Sequence, residues 1–233
     1  MRMRLLACVL LLSSALLTSC GSTREQTREV AYKSMYQDKP LSILIMPPIN
    51  RSTNVEAKEF FHATLNTSFA NAGFYVLPPF LSMEILKRES AYDAELFLNS
   101  NLEKFGEVFG ADLAIFTIIH KWSKTGLTGM VVVEVEYLLK STKTSEVVFQ
   151  KRGTVSYDAS ITGSMGGLAG LMVDVAATAL NTALVRQVDI AHKCNDRAFI
   201  DLPRGRYSPE HGLDAGLPAN PPTFRFHIKP QKN

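Results

Sequence analysis

Met130-Val131-Val132-Val133-Glu134-Val135-Glu136-Tyr137-Leu138-Leu139 decides the fold of this chain. Val131, Val133, Val135 and Tyr137 occupy every second position, with Glu134 and Glu136 between them. Successive side chains of a strand point to opposite faces, so this period of two predicts a half-exposed strand with the valines inward. Lys140 to Ser145 supplies a turn, and Glu146 to Tyr157 returns as the antiparallel partner. Just upstream, Leu113 to Ile119 is almost continuously apolar, the mark of a central strand covered on both faces.

Further towards the N-terminus the pattern alternates. Leu41-Ser42-Ile43-Leu44-Ile45-Met46 reads as a buried first strand ending at Pro47-Pro48. Asn50 to Asn54 is a polar loop, and Thr53 and Glu56 have the spacing of a capping box, which predicts a helix start. Phe61, Leu65 and Phe69 then share one helix face, with Gly73 as the C-terminal cap. Phe74 to Leu77 is a second strand stopped by Pro78-Pro79, and a short helix follows over 80–89. Asp93 caps the next helical segment. Leu98, Leu102, Phe105 and Phe109 form its core stripe, Asn99-Ser100-Asn101 breaks it, and Gly110 closes it.

Beyond the hairpin, residues 165–188 read as an Ala/Leu-rich helix reached through Gly163, Gly166, Gly167 and Gly170. The chain is loop-rich thereafter, with Thr223 to Ile228 as a last short strand. Strands alternating with helices, then a hairpin, then a helix predict an α/β sandwich, a mixed β-sheet with helices packed on it.

The N-terminus carries an address. Arg2 and Arg4 precede the apolar run Leu5 to Leu17, and Leu17-Thr18-Ser19-Cys20 follows. A charged start, an apolar stretch and small residues before a cleavage point make a secretory signal. The run is shorter than the ~20 apolar residues that a membrane span takes. Leucine, two small residues and cysteine resemble the bacterial lipobox, whose cysteine is acylated and becomes the first residue. The expected organisation is a lipoprotein signal peptide over 1–19, acylated Cys20 with a polar tether over 20–39, and a single α/β domain with a loop-rich extension over 40–233. Some 18 extended residues reach about 60 Å, far enough to hold the domain away from the lipid. Gly21 and Ser22 lack the aspartate that retains enterobacterial lipoproteins in the inner membrane, which resembles the outer-membrane pattern. No cofactor is expected besides the covalent lipid on Cys20.

Composition narrows the partners. The chain has 25 basic and 22 acidic residues, a net charge of +3 that falls to +1 once Arg2 and Arg4 leave with the signal. A near-neutral chain gives no electrostatic case for nucleic acid. A hydrophobic share of 46% suits a globular core. Cys8 leaves with the signal and Cys20 is acylated, so Cys194 alone remains. A lone cysteine reads as a small buried hydrophobe, against a free thiol or an intermolecular disulfide.

A catalytic constellation does not emerge. His62, His120, His192, His211 and His227 form no HExxH pair, and His192 with Cys194 lacks the further ligands that zinc takes. In Gly163-Ser164-Met165-Gly166-Gly167 the serine sits one place early for a nucleophile elbow, and no lysine completes a phosphate loop. Glu134 and Glu136 read as a solvent face rather than an acid–base pair. Trp122 is either an anchor for a partner or a half-buried core cap. Arg204, Arg206, Tyr207 and His211 form the most suggestive polar cluster, since Arg and Tyr suit recognition of carboxylates and protein surfaces. The alternative there is an ordered crossing loop pinned by prolines.

The signal, Cys20, the Ile43 to Pro48 strand, Gly110-Ala111-Asp112 before a strand, and the Leu202-Pro203-Arg204-Gly205 loop together resemble a bacterial lipoprotein family that includes a meningococcal genome-derived vaccine candidate. The resemblance spans most of residues 20–215. It implies a fold similar to the TolB N-terminal domain, an anticodon-binding-like sandwich. It implies a more distant likeness to the curli secretion lipoprotein and to lipoprotein activators of peptidoglycan synthases. The family has no established catalytic residues to carry over. The implied role is non-enzymatic: a lipoprotein tethered to the outer membrane that supports assembly of an envelope complex. Expected partners are envelope proteins, other lipoproteins among them, and the membrane through the lipid, with a homo-oligomer as a further option. A periplasmic binder of small molecules or glycans, with the Gly163–Gly170 loop lining its pocket, is the alternative. A hydrolase is a weaker one.

Overall fold

The computed structural model describes residues 26–125, 129–160, 174–175, 178 and 186–229. The signal, Cys20, the Gly163–Gly170 loop and most of the helix read over 165–188 lie outside the described residues.

Six helices and seven strands are described. In chain order they are α1 (Arg28–Ala31), α2 (Lys33–Asp38), β1 (Ser42–Ile45), β2 (Ile49–Asn50), α3 (Ala57–Asn71), β3 (Tyr75–Val76), α4 (Pro79–Arg88), α5 (Glu103–Phe109), β4 (Leu113–Thr125), β5 (Met130–Ser141), β6 (Val147–Asp158), α6 (Gln187–Ala198) and β7 (Thr223–Ile228), with a 3₁₀ turn at Ala94–Phe97. They build one mixed sheet in the order β3-β1-β4-β5-β6-β7, with β2 also paired to β4. β1 runs parallel to both β3 and β4, whereas β4, β5 and β6 form an antiparallel meander. β7 closes the far edge parallel to β6.

The alternation that opened the sequence holds in space. Val131, Val133, Val135 and Tyr137 are buried on the inner face against α3 and α6, and Glu134 and Glu136 point outward. Phe61, Leu65 and Phe69 of α3 are fully buried on that face, each contributing about 1.5–3 kcal/mol of burial. Among the described residues the opposite face is covered over the parallel half. There Leu44, Met46, Ala114, Phe116 and Ile118 meet Leu86 of α4 and Phe105 of α5. Gly73 and Gly110 lie in the left-handed region past α3 and α5, as caps of their kind do.

Three readings are corrected. Residues 28–38, read as tether, form α1 and α2 and pack on the domain. Tyr32 and Met35 are buried in the inner core, and Thr27 bridges to Pro218. Two apolar side chains in a polar stretch, with backbone bonds from Arg28 and Glu29 to Leu217 and Ala215, dock these short helices. The capping box is not formed. The chain reaches α3 instead through turns in which Asn50 Oδ1 accepts from Ser52 N at 3.0 Å and Asn54 Oδ1 accepts from Glu56 N at 3.1 Å. The stretch after 188 is not all loop. Residues Gln187–Ala198 form α6, whose Ile190, Ala191, Cys194 and Ala198 are buried at helical spacing.

Candidate functional site

The Leu202-Pro203-Arg204-Gly205 segment is docked by its backbone. Gly205 N donates to Ala72 O at 2.8 Å and Tyr207 N donates to Gly73 O at 2.9 Å. A β-carbon at Gly73 would run into the Ser208 backbone, and one at Gly205 into the Gly73 carbonyl, so the two glycines interlock. Gly73 is also at φ +89°, which favours glycine.

Two buried aspartates brace this loop at its ends. Asp201 Oδ2 accepts from Lys151 Nζ at 2.8 Å, from Tyr32 Oη at 2.5 Å and from Asn220 N at 2.7 Å. Lys151 Nζ also donates to the Asn220 carbonyl at 2.8 Å. The pair is dry, with the Lys151 side chain 3% and the Asp201 side chain 0% exposed. Burial pulls the Lys151 ammonium below its ordinary pKa, while Asp201 holds it up. Burial, and then the hydrogen bond to Asp201, pushes the Tyr32 phenol well up. Asp214 Oδ2 accepts from Arg204 N at 3.0 Å and from Arg28 Nη1 at 3.3 Å. A buried ion pair missing one member leaves an uncompensated charge, so these aspartates fix where the loop stands.

The polar cluster read from sequence is brought together on this brace. Arg204 Nε donates to Glu210 at 3.1 Å, and His211 Nδ1 lies 2.7 Å from the Arg204 carbonyl, so that nitrogen carries the proton. Tyr207 is 66% exposed, and Arg206 is exposed beside a cleft of about 450 Å³ that also meets Asp38, Asp112 and Lys143. Trp122 does not join them. It is 3% exposed in the inner core, opposite Val133, with its ring 5.6 Å from Phe60 and 5.8 Å from Phe61. The reason is a bulge at His120, where the register passes from Ile119↔Val135 to Lys121↔Glu134. One extra residue flips the parity of β4 and returns Trp122 to the core.

His120, two residues past Ile118, lies on the outer face of the meander. Its Nε2 lies 2.9 Å from Glu136 Oε2, and Gln150 Nε2 donates to the other oxygen of Glu136 at 2.9 Å. Arg152 grips Glu134 through Nε at 3.1 Å and Nη2 at 2.7 Å. Glu134 and Glu136 are thus partners of basic and polar neighbours across the strands. Cys194 is wholly buried, and burial pushes its thiol well up, which keeps it unreactive. Among the described residues no group of three His, Cys, Asp or Glu side chains is placed to hold a metal.

The sequence reading missed Tyr32, Lys151, Asp201, Asp214 and Arg28. One signal was present: Lys151 shares its strand parity with Phe149 and Val155, both buried. The aspartate partners lie 50 to 186 residues from their bases in the chain, and no local pattern joins them.

Fold and loop define a class, an α/β domain on a mixed sheet that presents polar side chains from a braced C-terminal loop. The family model described as "Putative lipoprotein GNA1162-like" matches residues 30–204. This chain belongs to that family of lipoproteins. The match begins inside α1, in keeping with α1 and α2 as part of the domain. The chain is 25% identical over 188 residues to the lipoprotein NMB1124/NMB1162 of Neisseria meningitidis serogroup B, covering 80% of this chain and 82% of the relative. Among solved structures, lipoprotein GNA1162 from Neisseria meningitidis aligns with a TM-score of 0.47 and 20% identity over 63% of this chain and 100% of its own. The LpoB C-terminal domain from Salmonella enterica aligns with a TM-score of 0.35 and 16% identity over 55% of this chain and 94% of its own.

Proposed function

We propose that this chain is a non-enzymatic lipoprotein, held in the outer membrane by the lipid on Cys20 and facing the periplasm, that supports assembly of an envelope complex by binding its proteins. The observation that carries the reading is the rigid presentation of Arg206 and Tyr207. Both are exposed, on a backbone locked to the α3–β3 corner and braced by Asp201 and Asp214. Exposed Arg and Tyr on a pre-organised loop are the residue types enriched at protein interfaces.

Two measurements test it. Cys20→Ala abolishes labelling of the protein by a fatty-acid analogue in cells; labelling that persists removes the anchor from the reading. Arg206→Ala and Tyr207→Ala keep the melting temperature and lower recovery of crosslinked envelope proteins. Unchanged recovery from both variants rules the loop out as the binding surface.

A second reading is favoured by a cleft of about 650 Å³ between Tyr32, Phe149, Gln150, Asn220 and Pro221, a size that suits a small molecule or a glycan unit. Saturable binding of a cell-wall sugar that Gln150→Ala weakens supports it over the first.

A further inference from the structure

The described chain begins on an exposed apolar patch. Arg28 is the hub of that patch. Its backbone N donates to Leu217 O at 2.8 Å, and its guanidinium reaches Asp214 and the Ile200 carbonyl, each at 3.3 Å. Around these contacts Val30, Ile200, Leu213 and Leu217 are all exposed, Leu213 at 79% and Val30 at 61%. The chain comes in at the same place, since Gln26 O accepts from Ala219 N at 2.8 Å and Glu29 N donates to Ala215 O at 3.0 Å.

We propose that this patch rests on the lipid bilayer, with Val30, Ile200, Leu213 and Leu217 seated at the boundary of headgroups and acyl chains. The inference rests on the reading of Cys20 as the acylated residue. Chain length argues for it first. Cys20 and Gln26 are six residues apart, and six residues span at most about 20 Å. A lipid on Cys20 therefore holds the Gln26 side of the domain, and the patch with it, within about 20 Å of the headgroups. Interfacial apolar groups sink about 5–10 Å into that region.

Charge decides the kind of contact. The patch's strong ions are paired internally, Arg28 with Asp214 and Arg204 with Glu210, and the exposed Glu29 and Lys33 beside it are of opposite sign, so the described residues here carry no net positive charge. Such a surface is drawn to lipid by its apolar side chains and not by anionic headgroups. Another exposed apolar group among the described residues is Phe80, Leu81 and Ile85 on α4. That helix packs through Leu86 on the opposite face of the sheet from Tyr32 and Met35, so it offers an internal comparison.

The test uses the acylated full chain in vesicles of neutral phosphatidylcholine. Leu217→Cys and Phe80→Cys each take an environment-sensitive fluorophore, because Cys194 is buried and Cys20 carries the lipid. Vesicles doped with a lipid quencher at headgroup depth quench the Leu217→Cys label severalfold more than the Phe80→Cys label, and salt does not change the ratio. Flotation of the same samples with the vesicles reports the anchor separately. Flotation with equal quenching at both sites, with none at Leu217→Cys, or with quenching abolished by salt overturns the bilayer seat alone. Loss of flotation overturns the acylation of Cys20 and the seat with it.

Discussion

Lys151 and Arg152 are neighbours on β6 and live in different solvents. Lys151 points inward, dry, onto Asp201, and Arg152 points outward at 47% side-chain exposure onto Glu134. Both ion pairs have short contacts. They differ in what each costs to break. On the outer face water replaces a lost partner, and surface pairs of this kind contribute little. On the inner face nothing replaces it, and the desolvated charge is left bare. The lesson is that a sequence-adjacent pair of basic residues divides into one structural clasp and one surface contact because a strand alternates.

The largest test of this contrast is Asp201→Ala. Removing the carboxylate strands Lys151 and unties Tyr32 and Asn220, and a stability loss of about 3–5 kcal/mol is expected in denaturant unfolding. Adding Lys151→Met to that variant restores much of the loss, because no bare charge then remains. A small loss in the single variant would break the comparison.

Tyr32→Phe is next. It deletes one donor to a buried carboxylate and keeps the ring against Phe149, 4.9 Å away between centroids. A hydrogen bond to a charged group is worth about 1.5–3 kcal/mol, and the melting temperature falls accordingly.

Alkaline pH sharpens the contrast further. Burial raises the pKa of Cys194, Tyr32, Tyr36 and Tyr137. In the unfolded chain the thiol ionises near pH 8.5 and the phenols near pH 10, whereas the fold keeps them protonated. The stability these groups supply is full below those values and declines as pH rises past them. Lys140 and Lys151, pulled down by burial, act in the opposite sense, since burial disfavours their charged form, for Lys151 against the pull of Asp201. The wholly buried Cys194 and Tyr137 lead the balance, and a decline from about pH 9 upward is expected, read as a falling melting temperature. In Cys194→Ala the decline starts only where the phenols titrate. A flat profile through that range would count against the dry interior.

The smallest effect is Arg152→Ala. The residue sits on the solvent side of the sheet, so the melting temperature stays where it is, with or without added salt. A clear loss would mean that the outer face is covered in solution.

Local periodicity made much of the fold legible. The Val131–Tyr137 alternation, the Phe61, Leu65 and Phe69 stripe, and the glycines past α3 and α5 are short-range signals of chain geometry. What escaped has physical reasons. The helices α1 and α2 bury only Tyr32 and Met35 as apolar side chains, too sparse a pattern to stand out, and their other ties run to residues 200–218, far along the chain. The bulge at His120 shifts the parity of β4, so no period computed from Leu113 predicts where Trp122 points. The α6 helix is only half apolar and follows a stretch that reads as helix already. At the candidate site, Arg204, Arg206, Tyr207 and His211 were visible as residue types. Their brace was not, because Asp201 and Asp214 work through partners that the fold alone brings near.

The clasp between residues 26–29 and 215–219 has a mechanical consequence. A pull on the N-terminal side at Gln26 does not load the sheet first. It loads the hydrogen bonds from Arg28 to Leu217, from Glu29 to Ala215 and from Ala219 to Gln26, joined by the Arg28–Asp214 ion pair. Asn220, one residue on, is held by Asp201, which passes the strain to Lys151 in the middle of β6. The 215–220 segment is therefore the fuse through which traction on the N-terminal end reaches the domain, and a cut in the loop ahead of it would let α1 peel away under a much smaller force.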